Sequence, residues 1–225
     1  MKSIAKIIVL ILLPVICRAQ TDQNYLDSMQ TALRNATNDT MRLDINRKLG
    51  FFHQDSDAGK ALVYHAAQLA LAKKLQLKIW EADAYQQIAY CYTFLYNLPA
   101  GYENYMQGLK IAEDPATATN GWGYSNFSNS KSPDEARQSI VGMIHFELAG
   151  FYVASRYFKE AFKQRLQALK IGEQLNNKKI LSLVNRNIGI YYLNNNNLDS
   201  AFIYFQKALS YYANSPYQKN LGNVY

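Results

Sequence analysis

Cysteine is almost missing from this 225-residue sequence, where Cys17 and Cys91 are the two present. Histidine is nearly as scarce, and His53, His65 and His145 form no pair at ligand spacing with a cysteine or a carboxylate. A metal centre therefore has no ligand set, and no metal, cofactor or catalytic constellation is expected. His145-Phe146-Glu147-Leu148 is not a phospho-acceptor box either, because Phe146 stands where an acidic residue is needed. Glycine (11) and proline (5) are few, which excludes collagen-like and turn-rich low-complexity chains. No glycine box for phosphate occurs, since Gly121-Trp122-Gly123 is too short and too aromatic. Long apolar runs are missing as well. The strongest, Ile7 to Ile16, falls short of the ~20 residues a membrane-spanning helix needs.

That short run has a different reading. Lys2 and Lys6 precede it, and Cys17-Arg18-Ala19 supplies a small-x-small pattern before Gln20, the layout of a signal peptide over residues 1–19. Acylation at Cys17 is disfavoured by the bulk of Ile16. Export across the inner membrane to the periplasm is expected. Removing Lys2, Lys6 and Arg18 lowers the net charge from +7 to +4, too weak a field to argue for nucleic acid. The mature chain keeps one cysteine, so no internal disulfide can form. Cys91, between Tyr90 and Tyr92 with no basic neighbour, reads as a small buried hydrophobe.

Tyrosine, by contrast, is abundant (18 residues). It recurs in a pattern clearest between Ile188 and Leu209: Ile188-Gly189-x-x-Tyr192, four asparagines, then Ala201-x3-Phe205-x-x-Ala208. Small residues on one helix let aromatics of an antiparallel partner approach closely. Earlier stretches repeat the order: Leu49-Gly50, Ala61 and Tyr64; then Ile88-Ala89, Tyr92, Gly101, Tyr105 and Gly108; then Leu148-Ala149, Tyr152, Ala161 and Ala168. In the first of these the turn reads as one residue short, and Gln68 stands where a small residue is usual. This pattern resembles the tetratricopeptide repeat, a helix–turn–helix unit. Successive markers Leu49, Ile88, Leu148, Ile188 and Leu221 lie 39, 60, 40 and 33 residues apart, against a usual period of about 34.

The expected fold is all-α, a right-handed superhelical solenoid of antiparallel helix pairs, with about four complete repeats and the start of a fifth. Residues 20–36 form an N-terminal capping helix with Leu26, Met29 and Leu33 on one stripe, and residues 37–225 the solenoid, cut off at its C-terminus. Residues 114–131 lose all helical periodicity and read as a loop insertion, followed by a capping box at Ser132-Pro133-Asp134-Glu135. The glycines at 50, 101, 108 and 189 are expected to lie under a neighbour's aromatic ring.

Two features carry functional expectations. The concave face, made by the first helix of each unit, should show Arg47, Phe51, Gln86, Tyr90, Phe94, Phe146, Arg186 and Ile190. Such a surface suits an extended peptide with apolar and acidic side chains. Phe51, Tyr90 and Ile190 occupy the places where a carboxylate clamp would carry asparagine, so chaperone tails are not the expected ligand. Trp122, Tyr124 and Phe127 could make the insertion a lid or a partner contact, but a poorly ordered loop is the favoured reading.

Tyr25-Leu26-Asp27-Ser28, Ala32-Leu33-Arg34-Asn35, Asp39-Thr40-Met41-Arg42-Leu43 and Leu71-Ala72-Lys73-Lys74-Leu75 resemble the start of exported bacterial tetratricopeptide sensor proteins. The resemblance implies a protein- or peptide-binding sensing or docking region, without nucleic acid, whose membrane helix and histidine kinase or DNA-binding output would lie beyond Tyr225. A free-standing exported scaffold, with self-association through repeat surfaces, is the alternative.

Overall fold

The computed structural model describes residues 22–213. The signal-peptide expectation (1–19) and the fifth-repeat start (Leu221 to Tyr225) lie outside them. Among the described residues there are nine α-helices and no strand: α1 (22–34), α2 (Asp39–His53), α3 (Ala58–Lys74), α4 (Lys78–Phe94), α5 (Leu98–Glu113), α6 (Pro133–Ala154), α7 (Phe158–Gln174), α8 (Lys178–Asn194) and α9 (Leu198–Ala213). They pack as four successive hairpins, α2/α3, α4/α5, α6/α7 and α8/α9. First helices also meet across hairpins, α4 against α6 and α6 against α8. Helix α1 lays Leu26, Met29 and Leu33 over Ile45 and Leu49.

One turn geometry recurs. After α3, α4, α6, α7 and α8, a three-residue turn puts its middle residue at positive φ: Gln76, Tyr96, Arg156, Asn176 and Asn196. The following amide then reaches back five residues, as Leu77 N–H does to Ala72 O (3.0 Å) and Asn197 N–H to Tyr192 O (2.9 Å). This is the Schellman closure, which satisfies carbonyls a helix end leaves open. The asparagine run divides the work. Asn195 Nδ2 donates to Tyr191 O, Asn196 takes the left-handed conformation, and Asn197 Oδ1 caps α9 by accepting from Ser200 N–H. Arg156 is exposed at φ 63°, where a side chain is strained. Arg156→Gly should therefore raise stability by about 0.5–1 kcal/mol in urea denaturation. A loss of stability would count against the strained turn.

The first turn differs from expectation. It is not short; residues 54–57 make it one residue longer than the others, because α2 ends early and His53 O accepts from both Ser56 and Asp57 N–H. Asn38 caps α2, accepting from Met41 N–H at 2.8 Å. The capping box at Ser132 forms with one arm displaced: Glu135 N–H donates to Ser132 Oγ, while the Glu135 carboxylate accepts from Lys131 N–H.

Gly101 and Gly108 also depart from expectation. At neither is a ring atom among the three that an added Cβ would meet first, although the Tyr85 Cβ is one of them at Gly108. A Cβ at Gly101 would press on the Thr93 hydroxyl and the Ala89 carbonyl, and one at Gly108 on the Ala82 carbonyl and Ile144. These glycines admit neighbouring backbone and aliphatic groups. At Gly189 the expected ring is present, with Phe205 carbons 2.7 Å from where a Cβ would stand, and at Gly50 the ring is the imidazole of His65. Ala89, Tyr105, Ala149, Ala161, Ala168, Ala201 and Ala208 are buried, and Tyr92, Tyr152, Tyr192 and Phe205 half-buried.

Candidate functional site

The first helices α2, α4, α6 and α8 line a half-open cavity of about 530 Å³. Helical periodicity explains who lines it. On α4 the sequence steps Asp83, Gln86, Gln87, Tyr90, and on α6 Ser139, Ile140, Met143, Phe146, Glu147, each set on one helical face. Helix α2 adds Arg47 and Phe51, the turn after it Gln54 and Asp55, and the first turns of α8 Lys179 and Leu183.

Five of the eight expected groove residues meet here: Arg47, Phe51, Gln86, Tyr90 and Phe146. Phe94 lies one turn beyond, half exposed and stacked on Tyr90. Arg186 and Ile190 sit further along α8, away from the lining.

The insertion forms the remaining wall. Residues 114–131 carry two short 3-10 turns, Pro115–Ala118 and Tyr124–Asn126. Phe127 is buried, contrary to an exposed loop, and lines the cavity with Asn126 and Ser128. Trp80 is the anchor: fully buried, it packs on Trp122 (5.4 Å) and edge-on to Phe127 (5.1 Å), and its indole N–H donates to Trp122 O (2.9 Å). Gly123, at φ 67°, sits against the indole ring. Tyr124 is half-buried against the main core, whereas Trp122 keeps 42% of its surface exposed.

Arg47 is engaged inside the protein. Its guanidinium donates to both carboxylate oxygens of Asp83 (2.7 and 3.2 Å) and lies over Phe51, Phe127 and, further off, Trp80. Asp83 also accepts from Gln68 Nε2 at 2.8 Å, and Gln68 Oε1 then faces His65 Nδ1 at 3.1 Å. A carboxylate only accepts, so the Gln68 amide is oriented and His65 carries its proton on Nδ1. Burial holds His65 below its usual range, hence neutral. Gln68 is the link in this chain. Arg47 thus has little left to offer an acidic ligand.

Glu147 was not foreseen. Its Oε1 accepts from Gln86 Nε2 (3.0 Å), while Oε2 is buried with no hydrogen-bond partner. Burial pushes its carboxyl up to about 8. The folded protein therefore holds a proton that the unfolded chain loses near pH 4.5. The linked stability is present in full below that pH and is lost as pH rises toward 8. The buried His53 and His65, held below their usual range, contribute the opposite slope, so the decline is read as a difference. Compared with Glu147→Gln, the free protein should lose up to about 1.4 kcal/mol more per pH unit across this window in urea denaturation. Equal slopes in the two proteins would place the proton elsewhere. Burial likewise pushes the Cys91 thiol up to about 12, so it is inert as a nucleophile. His145 is satisfied by Gln164 at 2.6 Å.

The signals for the missed residues lay on the same helical faces. Asp83 is one turn before Gln86, and Glu147 is one turn after Met143. Among the described residues no group of three or more His, Cys, Asp or Glu could hold a metal ion, and no helix is long and apolar enough to cross a membrane.

No protein-family model matches the chain, and no curated protein matches it. A solved structure does: BtubC (BKLC) from P. vanneervenii superposes with a TM-score of 0.55 at 19% identity, over 87% of this chain and 72% of that one. At that identity the likeness is one of fold, and it places the chain among all-α proteins of packed helical hairpins.

Proposed function

We propose that this chain is a protein- or peptide-binding module of tetratricopeptide type, serving as the sensing or docking part of an exported bacterial signalling protein. The observation that carries the reading is the cavity, to which all four first helices contribute and which the insertion walls on one side. Its rings, Phe51, Tyr90, Phe127 and Phe146, are the residue types that anchor bound side chains. Hairpin order, marker spacing and the likeness of fold favour the repeat assignment. The resemblance of residues 25–75 to exported sensors supports the setting.

A library of blocked peptides carrying a photo-crosslinker tests the binding. Crosslinks should map by mass spectrometry to α2, α4 and α6 around the cavity, and Phe146→Ala should weaken binding at least tenfold at unchanged fold. Crosslinks confined to the outer helices α3, α5 and α7 would reject the reading. Export is tested separately by fusing residues 1–40 to a reporter active only after forming disulfides.

A further inference from the structure

Three buried oxygens without a hydrogen-bond partner belong to cavity-lining residues: Gln54 Oε1, Gln87 Oε1 and Glu147 Oε2. The two glutamine oxygens are acceptors, and Glu147 Oε2, which carries the acid proton while the carboxyl is neutral, becomes one on ionisation. Gln87 is 3% exposed, so solvent does not readily satisfy it. Buried polar atoms are seldom left unpaired, and three such oxygens around one cavity describe a site whose partner is supplied from outside.

The charges agree. Arg47 and Lys179 face three carboxylates, Asp55, Asp83 and Glu147, so the lining is one negative charge in excess when Glu147 is ionised. Arg47 is held by Asp83, and Asp55 accepts from the Tyr90 hydroxyl at 2.9 Å. Asp55 is exposed to solvent, so Glu147 is the carboxyl with a buried oxygen still open. Rings on several sides offer the faces that cations prefer.

We propose that the cavity receives a cationic donor group, the guanidinium or ammonium of a basic side chain on a peptide ligand, seated on Glu147 with Gln54 and Gln87 as further acceptors. This rests on the peptide-binding reading and names its ligand chemistry. Glu147 is faced by Lys179 from α8, Arg47 from α2, Asp55 from the turn after it, and Asp83 and Tyr90 from α4; buried Cys91 and Tyr105 stand nearby and stay uncharged. No described residue of α7 lines the cavity. Seating a cation ionises Glu147, so binding near neutral pH releases its proton to the buffer.

Isothermal titration of the intact chain at pH 7, in two buffers of different ionisation enthalpy, tests this. The probes are blocked alanine pentapeptides with a central arginine, lysine, citrulline or glutamate, together with agmatine as a free guanidinium. The arginine and lysine peptides should bind at least tenfold more tightly than the citrulline and glutamate peptides, with release approaching one proton. Glu147→Gln should abolish both the preference and the release. Should that variant unfold, the buffer dependence in the unsubstituted protein still decides. Agmatine binding as tightly as the arginine peptide would keep the cationic site and make its source a small amine. Peptides that bind without preference for positive charge, or without proton release, would overturn the inference while leaving peptide binding intact. Failure of every probe to bind would count against both.

Discussion

Trp80→Ala should cost about 3–5 kcal/mol in urea denaturation and expose the 114–131 segment to proteases. The side chain is fully buried, so truncation removes its whole apolar surface from the core and leaves a cavity between α4 and the insertion. The loss is also specific in place. Trp122, Phe127 and Gly123 all rest on this indole, and Trp122 O accepts its N–H. The Thr117 hydroxyl, bonded to Ile111 O, anchors its beginning, and Tyr124 and the Arg47 guanidinium over Phe127 are weaker holds on the rest. Cleavage should therefore appear around residues 119–130 before the helices are cut. A cost below about 1 kcal/mol, with unchanged proteolysis, would mean that the loop is held by something else.

Arg47→Met should be destabilising by about 3–5 kcal/mol, because it strands the Asp83 carboxylate, whose side chain is 4% exposed. Methionine retains most of the apolar stem, so the effect reports the charge more than the volume. Asp83→Asn in the same chain removes the stranded charge and should recover at least half of the loss. A double-mutant cycle should then give a coupling above about 1.5 kcal/mol. Additivity within about 0.5 kcal/mol would show that Gln68 and water satisfy Asp83 unaided.

Helix pairing was legible because periodicity is a local property. Ile188, Gly189 and Tyr192 announce a helix and its packing face without reference to the rest of the chain. The capping box at Ser132 and the start of α6 were readable for the same reason. What covers each small residue was less so: Gly101 and Gly108 admit backbone and aliphatic groups, and only the assembled hairpins show this. The cavity was half legible. Five groove residues follow from the α-helical face, but the polar chain from His65 through Gln68 and Asp83 to Arg47 spans three helices, and nothing in local spacing announces it. Phe127 is the sharpest case. It stands in a polar, aperiodic segment, yet Trp80, 47 residues earlier, buries it. A residue's fate in such a loop is decided by a distant partner.

The repeated turn has a consequence for how this chain tolerates cutting and joining. Gln76, Tyr96, Arg156, Asn176 and Asn196 carry the same backbone shape whether they join helices within a hairpin or link one hairpin to the next. Arg156 and Asn196 are 40 residues apart. Excising 157–196 would thus bring together two ends that already match, with α9 arriving where α7 had stood. Excising 177–196 instead would leave equally good ends but bring an outer helix into an inner place, turning polar groups onto the core. The backbone accepts either splice, and the side chains accept only the even one.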